Sequence, residues 1–131
     1  MSGVRRLNSG APWEGIVGYS RVVVRGDAAW VSGTTSAVGG VVRHPGDAAG
    51  QTREALATIA AALERAGFSL KDVVRTRMFV TDISRWEEIG RAHGEFFGDV
   101  RPASSMVQVA ALIDPAMLVE VEADAVRGAG A

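Results

Sequence analysis

Three carboxylates alternate along the stretch LVEVEADAV, residues 118–126. With the two-residue period of a strand, Glu120, Glu122 and Asp124 share one face. Their neighbours on the other face are all apolar: Val119, Val121, Ala123 and Ala125. Like charges on one strand face repel each other unless solvent, a partner or a site separates them. Two interpretations of Glu120 stay open: a solvent-facing carboxylate, or an acid–base group in a cleft, where burial would raise its pKa toward neutrality.

Other residue types offer fewer possibilities. Arg75 and Arg77 alternate onto one strand face, where they are either an interface pair or a clamp for a carboxylate. His93 falls on the apolar face of a predicted helix, which is typical of a core or interface histidine. No histidine spacing favours a metal, and the chain has no cysteine, so thiolate chemistry is excluded. No GxSxG elbow supports a serine hydrolase.

Length and composition predict one domain spanning residues 1–131. The net charge is −1, with no basic stripe, which argues against nucleic acid as a partner. The N-terminus has no apolar segment typical of a secretory signal, and no apolar run approaches the roughly 18 residues of a membrane helix. We therefore expect a soluble, cytoplasmic protein without a membrane partner.

The elements that must position these residues follow from periodicity and end signals. A hairpin is predicted over 19–24 and 28–32, followed by a helix that begins after Asp47 and ends at Gly67. The segment 72–80 is apolar enough for a central strand. A second helix should begin with a capping box of Ser84 and Glu87. Its buried face should contain Trp86, Ile89, His93 and Phe96 or Phe97. Two consecutive strands, joined through residues 113–116, end the chain.

This order predicts an α+β fold in which two helices pack on one face of a mixed sheet. We expect the other sheet face to be apolar as well. Two helices cannot cover both faces, so a partner subunit is expected to cover the second one.

The order of several short motifs resembles the YjgF/RidA family, also called reactive-intermediate deaminases or L-PSP endoribonucleases. The motifs are YS at 19–20, VSG at 31–33, LERAG at 63–67, VVRTRMFVTD at 73–82, FF at 96–97, and RPASSMVQVAAL at 101–112 paired with VEVEADAV at 119–126. The resemblance implies a chorismate-mutase-like fold. It also implies a homotrimer with a central barrel and ligand clefts between subunits.

The resemblance further implies hydrolysis of imines or enamines, such as 2-aminoacrylate, without metal or organic cofactor. Glu120 matches the glutamate that positions the attacking water. The expected substrate-binding positions are Tyr19, Ser32, Gly33, His93, Ser104, Ser105 and Met106. Two of these depart from the family pattern: Ser104 stands where a substrate-binding arginine is usual, and Gly90 and His93 replace an N-x-x-Y pattern in the second helix.

The missing arginine changes the expected substrate. An arginine–carboxylate contact is worth about 1.5–3 kcal/mol, and a serine hydroxyl cannot supply its charge. We therefore expect a Rid-like hydrolase of altered specificity, acting on a small imine, enamine or related metabolite other than 2-aminoacrylate. The alternative is a non-catalytic trimer that binds a small molecule or a partner. Ribonuclease activity is the least favoured of the three because the chain lacks a basic groove.

Overall fold

A six-stranded mixed sheet with two helices on one face organises the computed structural model, which describes residues 3–128. The strands of this sheet are β1 (Val4–Leu7), β2 (Val22–Arg25), β3 (Ala28–Thr34), β6 (Val73–Val80), β7 (Ala103–Gln108) and β8 (Val119–Val126). Their order in the sheet is β1-β2-β3-β8-β6-β7. A separate small hairpin contains β4 (Ala37–Val38) and β5 (Val41–Val42). The α+β architecture predicted from the sequence is confirmed.

The last two strands, which are consecutive along the chain, are not neighbours in the sheet. β7 runs parallel to β6 at the sheet edge, while β8 lies between β3 and β6 and is antiparallel to both. The helix between β6 and β7 brings the chain back to the end of the sheet at which β6 begins. β7 therefore runs parallel to β6. Because β8 takes the other side of β6, residues 109–118 carry the chain back across that strand. The prediction that β6 is a central strand is confirmed.

The first helix follows its local signals. Helix α1 (Ala48–Arg65) is capped by the Asp47 carboxylate, which accepts a hydrogen bond from the Gly50 backbone N–H at 2.9 Å. It ends before Gly67, whose φ of +88° suits a residue without a Cβ. Leu56, Ile59 and Leu63 on its inner face are fully buried against the sheet. Both predicted ends of this helix are confirmed.

The second helix begins later than predicted. Asp82 accepts a hydrogen bond from the Ser84 backbone and starts a short 3₁₀ turn over Ile83–Arg85, so the capping box at Ser84 does not form. Helix α2 (Trp86–Phe97) therefore begins at Trp86, which is 57% exposed and not buried as predicted. Ile89 and Phe97 are buried as expected, and His93 is half-buried.

The sheet face opposite the helices contains both polar and apolar side chains. The expectation that this face is apolar is therefore wrong. Trp30 and Val107 on this open face are 46% and 48% exposed. Between them, Arg77 forms ion pairs of 3.2 Å with both Glu122 and Asp124. The alternation of β8 places its valines and alanines in the core against the helices and its carboxylates on this open face.

Candidate functional site

A cavity of about 400 Å³ lies where β3 and β8 meet the segment that precedes β2. The N-terminal segment supplies Trp13 and Val17, beside and in a π-helical turn over Glu14–Gly18. Four of the predicted site residues line this cavity: Tyr19, Ser32, Gly33 and Glu120. The hairpin and the last strand therefore bring the catalytic candidate and three of the binding candidates together.

Glu120 is a half-buried acid that lines this cavity. It pairs in register with Phe79 on β6, and its side chain alternates away from the buried Val119 and Val121. Burial raises the pKa of Glu120, the neighbouring Glu122 carboxylate raises it further, and the Arg21 guanidinium opposes both effects. A carboxyl group in such a position can exchange protons nearer neutrality than a solvated glutamate does.

Gly33 leaves the space that the Glu120 side chain occupies. A Cβ built on Gly33 would lie 2.8 Å from Glu120 Cδ and would overlap the carboxylate. The register of β3 against β8 shifts between Val31 and Thr34, so the strand is irregular at this position. A bulge of this kind re-aims side chains next to a site. Glycine at position 33 therefore allows the Glu120 carboxylate to take this position.

Ser32 and Tyr19 are both held by polar contacts. The Ser32 hydroxyl donates to the Ser20 carbonyl at 2.6 Å, which fixes its side chain at the cavity wall. The Tyr19 hydroxyl accepts a bond from Arg21 Nη2 at 3.5 Å. The Arg21 guanidinium carbon lies 5.7 Å from the centre of the Tyr19 ring, within cation–π range.

Arg21 is a site residue that sequence reasoning missed. It is only 5% exposed, and its Nη1 donates to the Gly33 carbonyl and to Thr34 Oγ1, both at 2.7 Å. Its Nη2 lies 3.7 Å from the buried carboxylate of Glu14. The guanidinium thus fixes the backbone beside Gly33. An arginine directly before three valines was the only signal in the sequence.

Within the subunit, Arg77 does not face an open site that could take the carboxylate of a ligand. Its guanidinium is paired with Glu122 and Asp124, which answers the question raised by three carboxylates on one strand face. Glu120, the third of them, has no such ion pair among residues 3–128. The strand pattern therefore separates into two carboxylates that are paired with Arg77 and one, Glu120, that lines the cavity without an ion pair; Glu122 also borders the cavity.

A second group of predicted residues meets around β6 on the helix face of the sheet, opposite to the face that carries Glu120. Thr76 is fully buried, and its Oγ1 lies 2.9 Å from His93 Nε2 and 2.8 Å from Ser104 Oγ. The His93 ring lies 4.7 Å from the Phe97 ring, and burial lowers the pKa of His93. Thr76 was not among the predicted site residues, because a threonine within a strand is ordinarily a packing residue.

The remaining two candidates of β7 lie on different faces. Met106 shares the helix face with Ser104 and packs against the core, whereas Ser105 is exposed and alternates onto the open face. Glu120 lies on the open face and Ser104 on the helix face. One subunit therefore does not bring the cavity residues and the β7 residues into a single site, and their binding roles stay predictions.

Two further properties concern metals and membranes. Within residues 3–128, no group of three or more histidine, aspartate or glutamate side chains is placed to hold a metal ion. Neither helix in that range has the length and apolar character needed to cross a membrane.

Comparison with sequence families and curated proteins places these features in context. Residues 10–127 match the family model described as Endoribonuclease L-PSP. An uncharacterized protein of Streptomyces coelicolor is 40% identical over 126 residues, covering 96% of this chain and 94% of that protein. The 3-aminoacrylate deaminase RutC of Acinetobacter baylyi is 44% identical over 80 residues, which cover 61% of this chain and 63% of that protein.

Solved structures agree with the sequence comparison. A YjgF/YER057c/UK114 family member from Mycobacterium tuberculosis superimposes with a TM-score of 0.87 at 50% identity, covering 95% of this chain and 99% of that one. TdcF of E. coli, solved with bound serine, has a TM-score of 0.78 at 28% identity, covering 95% of this chain and 94% of that one. The family match spans nearly the whole chain, and the fold agrees with it. The chain therefore belongs to the endoribonuclease L-PSP family, the group of YjgF/RidA proteins.

Proposed function

We propose that this protein hydrolyses a small imine or enamine other than 2-aminoacrylate, in clefts between the subunits of a homotrimer, with Glu120 acting on the attacking water. The observation that carries the proposal is the position of Glu120. It is half-buried on a cavity wall, its pKa is raised by burial, and it has no ion-pair partner among residues 3–128. These are the properties of a proton-transfer group rather than of a surface carboxylate.

The chemistry requires one water and one proton-transfer group. An enamine first takes a proton at carbon while its nitrogen loses one, and so becomes an imine. Glu120 then accepts a proton from water while the oxygen attacks the imine carbon, and the nitrogen takes up a proton to give a carbinolamine. When this intermediate collapses, the nitrogen takes up a proton as the C–N bond breaks, the oxygen loses its proton, and a ketone or aldehyde and ammonia leave. A carboxyl group with a raised pKa can both accept and return the proton.

The names of the relatives support this class of substrate. RutC is named for deamination of 3-aminoacrylate, an enamine, and TdcF is described with serine, a small amino acid, bound. The carboxylate of such ligands calls for a cation, and this chain has Ser104 where the family pattern has arginine. Among the described residues that line the cavity, Arg21 is the one arginine, and its N–H groups already bond to Gly33 and Thr34.

The open sheet face supports the trimer. Trp30 and Val107 are about half exposed there, and a subunit by itself leaves them in water. A second copy packed on this face would bury them, and a closed ring needs each subunit to use two different patches. Sedimentation equilibrium should therefore give three times the subunit mass. A stable monomer would overturn the inter-subunit cleft.

A substrate panel with matched variants tests the proposed activity. Ammonia and carbonyl product should appear from several small imines and enamines, and Glu120→Gln should lower kcat by about 10²–10⁴-fold because it removes the acid–base group. Asp124→Asn is the matched control, since Asp124 lies on the same strand face but is paired with Arg77 and does not line the cavity. Equal activity in wild type and Glu120→Gln would overturn the role of Glu120. Robust turnover of 2-aminoacrylate would overturn the altered specificity.

A non-catalytic binding role is the second candidate, and the bound serine of TdcF is the observation that favours it. In that case the wild-type protein would bind small metabolites in the same cavity, and no member of the panel would be turned over. Mass spectrometry of ligand that co-purifies with the trimer, together with absence of turnover, would support this role over the first.

A further inference from the structure

Three side chains from three elements form a continuous hydrogen-bonded chain that the proposed water chemistry does not use. His93 on α2, Thr76 on β6 and Ser104 on β7 are joined by contacts of 2.9 Å and 2.8 Å. The middle residue is fully buried and the inner one is half-buried, while Ser104 is exposed at the sheet edge. The chain of hydroxyls therefore links a sheltered imidazole to a group that a ligand can reach.

The chain can carry hydrogen bonds in either direction. When His93 Nε2 carries the proton, it donates to Thr76, Thr76 donates to Ser104, and the Ser104 hydroxyl is free to donate outward. In the other tautomer each bond reverses, Thr76 donates to the imidazole, and Ser104 Oγ accepts a hydrogen bond from outside. Each hydroxyl can play both parts. Since the imidazole is neutral in both arrangements, the exposed end can act as donor or acceptor without a change of charge.

The electrostatic surroundings keep this cluster neutral. In the described part of the chain, no ion pair involves His93, and burial alone accounts for the lowered pKa of its imidazole. The Phe97 ring covers one side of it. A ligand carboxylate would lose its water here and gain only a neutral donor, whereas an amide or hydroxyl would lose less and gain a partner for either polarity.

We propose that Ser104, Thr76 and His93 form a neutral relay that binds an uncharged polar group of the ligand, such as a carboxamide or hydroxyl, and disfavours a carboxylate. The relay names the ligand class for the inter-subunit cleft and in that respect rests on the proposed function. Ser104 is the contact residue. Thr76 and His93 are positioning residues that set whether Ser104 donates or accepts.

Binding of two isosteric probes tests the relay without requiring turnover. Propionamide and propionate are titrated into the trimer, and the ¹⁵N signals of His93 are followed by NMR. Propionamide should shift the His93 Nε2 signal in wild type and in Thr76→Ser, which keeps the hydroxyl. It should leave that signal unmoved in Thr76→Val, which has the same shape without the hydroxyl. Propionate should bind wild type more weakly, and Ser104→Arg should move the preference toward propionate by about tenfold or more.

Two results would overturn the relay: propionate binding to wild type as tightly as propionamide, or a His93 shift in Thr76→Val equal to that in wild type. The proposed function fails separately. If the probes show the amide preference but no imine is turned over, the catalytic proposal is wrong and the relay stands. If imines are hydrolysed in a Glu120-dependent way and the probes prefer propionate, the relay alone is wrong.

Discussion

Glu120 and Gly33 occupy adjoining space, so that a Cβ on Gly33 would lie 2.8 Å from the Cδ of Glu120. The two residues belong to β8 and β3, which are neighbours in the sheet, and the register irregularity between Val31 and Thr34 brings them to this approach. The carboxylate can keep its position on the cavity wall only while residue 33 has no side chain. The absence of a side chain at Gly33 thus determines where the carboxylate of Glu120 lies.

The variant Gly33→Ala should lower kcat/KM by about 100-fold or more, because a displacement of about 1 Å at a reacting group has that effect. The fold should be retained, since the Glu120 side chain can swing away from the new methyl group. Steady-state ammonia release measures the effect, and circular dichroism checks the fold. Gly94→Ala is the matched control, because a Cβ at Gly94 in α2 meets nothing within 4 Å. Full activity in Gly33→Ala would show that the position of Glu120 is unimportant.

Replacement of Glu120 should also change stability in a pH-dependent way. The pKa of Glu120 is raised in the folded protein, so between its ordinary value near 4.5 and the folded value the folded state binds more protons than the unfolded state. Stability of the wild type therefore falls as pH rises through that window, and the penalty remains above it. Glu120→Gln, which cannot ionise, should melt at a higher temperature than wild type at pH 7.

The same difference in Tm should shrink as the pH falls below 4.5, where Glu120 is protonated in both states. Thermal melts of both proteins at several pH values and one protomer concentration give this comparison. A difference that stays constant with pH would mean that Glu120 is not desolvated. Asp124→Asn should show no such gain, because it loses an ion pair with Arg77.

The buried arginine should matter far more than an exposed one. Arg21→Met removes the cation from a pair whose side chains are 7% and 8% exposed, so that Glu14 keeps only its hydrogen bonds from Ser9 and the Gly33 carbonyl loses this donor. Breaking a buried pair in this way costs about 3–5 kcal/mol in free energy of unfolding. Arg53→Met breaks an exposed pair with Glu95 and should cost about 0.2–1 kcal/mol. Urea unfolding at equal protomer concentration should separate them, and equal costs would contradict the structural role of Arg21.

Features that depend on residues close together in the chain could be predicted from the sequence. The cap at Asp47, the stop at Gly67 and the inward face of α1 are fixed by neighbouring residues, and the structure has all three. The alternation of β8 likewise placed its apolar residues in the core. In α2, two capping signals competed within three residues. Asp82 formed the turn that Ser84 was expected to start, and this shift exposed Trp86.

Features that depend on distant residues escaped prediction. The place of β8 between β3 and β6 depends on which strand edges are free after α2 has crossed the sheet. The residues of β8 alone do not determine this place. Burial of Arg21 depends on Glu14, Gly33 and Thr34 meeting at one point. Thr76 joins His93 to Ser104 only because β6 lies between α2 and β7. A resemblance to a family names site residues, but it does not give these contacts.

The central claim is that Glu120 of one subunit works with β7 of its neighbour, and subunit mixing tests it most directly. Glu120→Gln lacks the acid–base group, and Ser104→Trp blocks the other wall, so each variant should be inactive alone. When the two variants are refolded together in equal amounts, three quarters of the trimers contain both variants. Each of these mixed trimers has one complete cleft among its three clefts. Activity should recover to about one quarter of wild type if the ring is closed head to tail. No recovery in demonstrably mixed trimers would contradict the shared cleft.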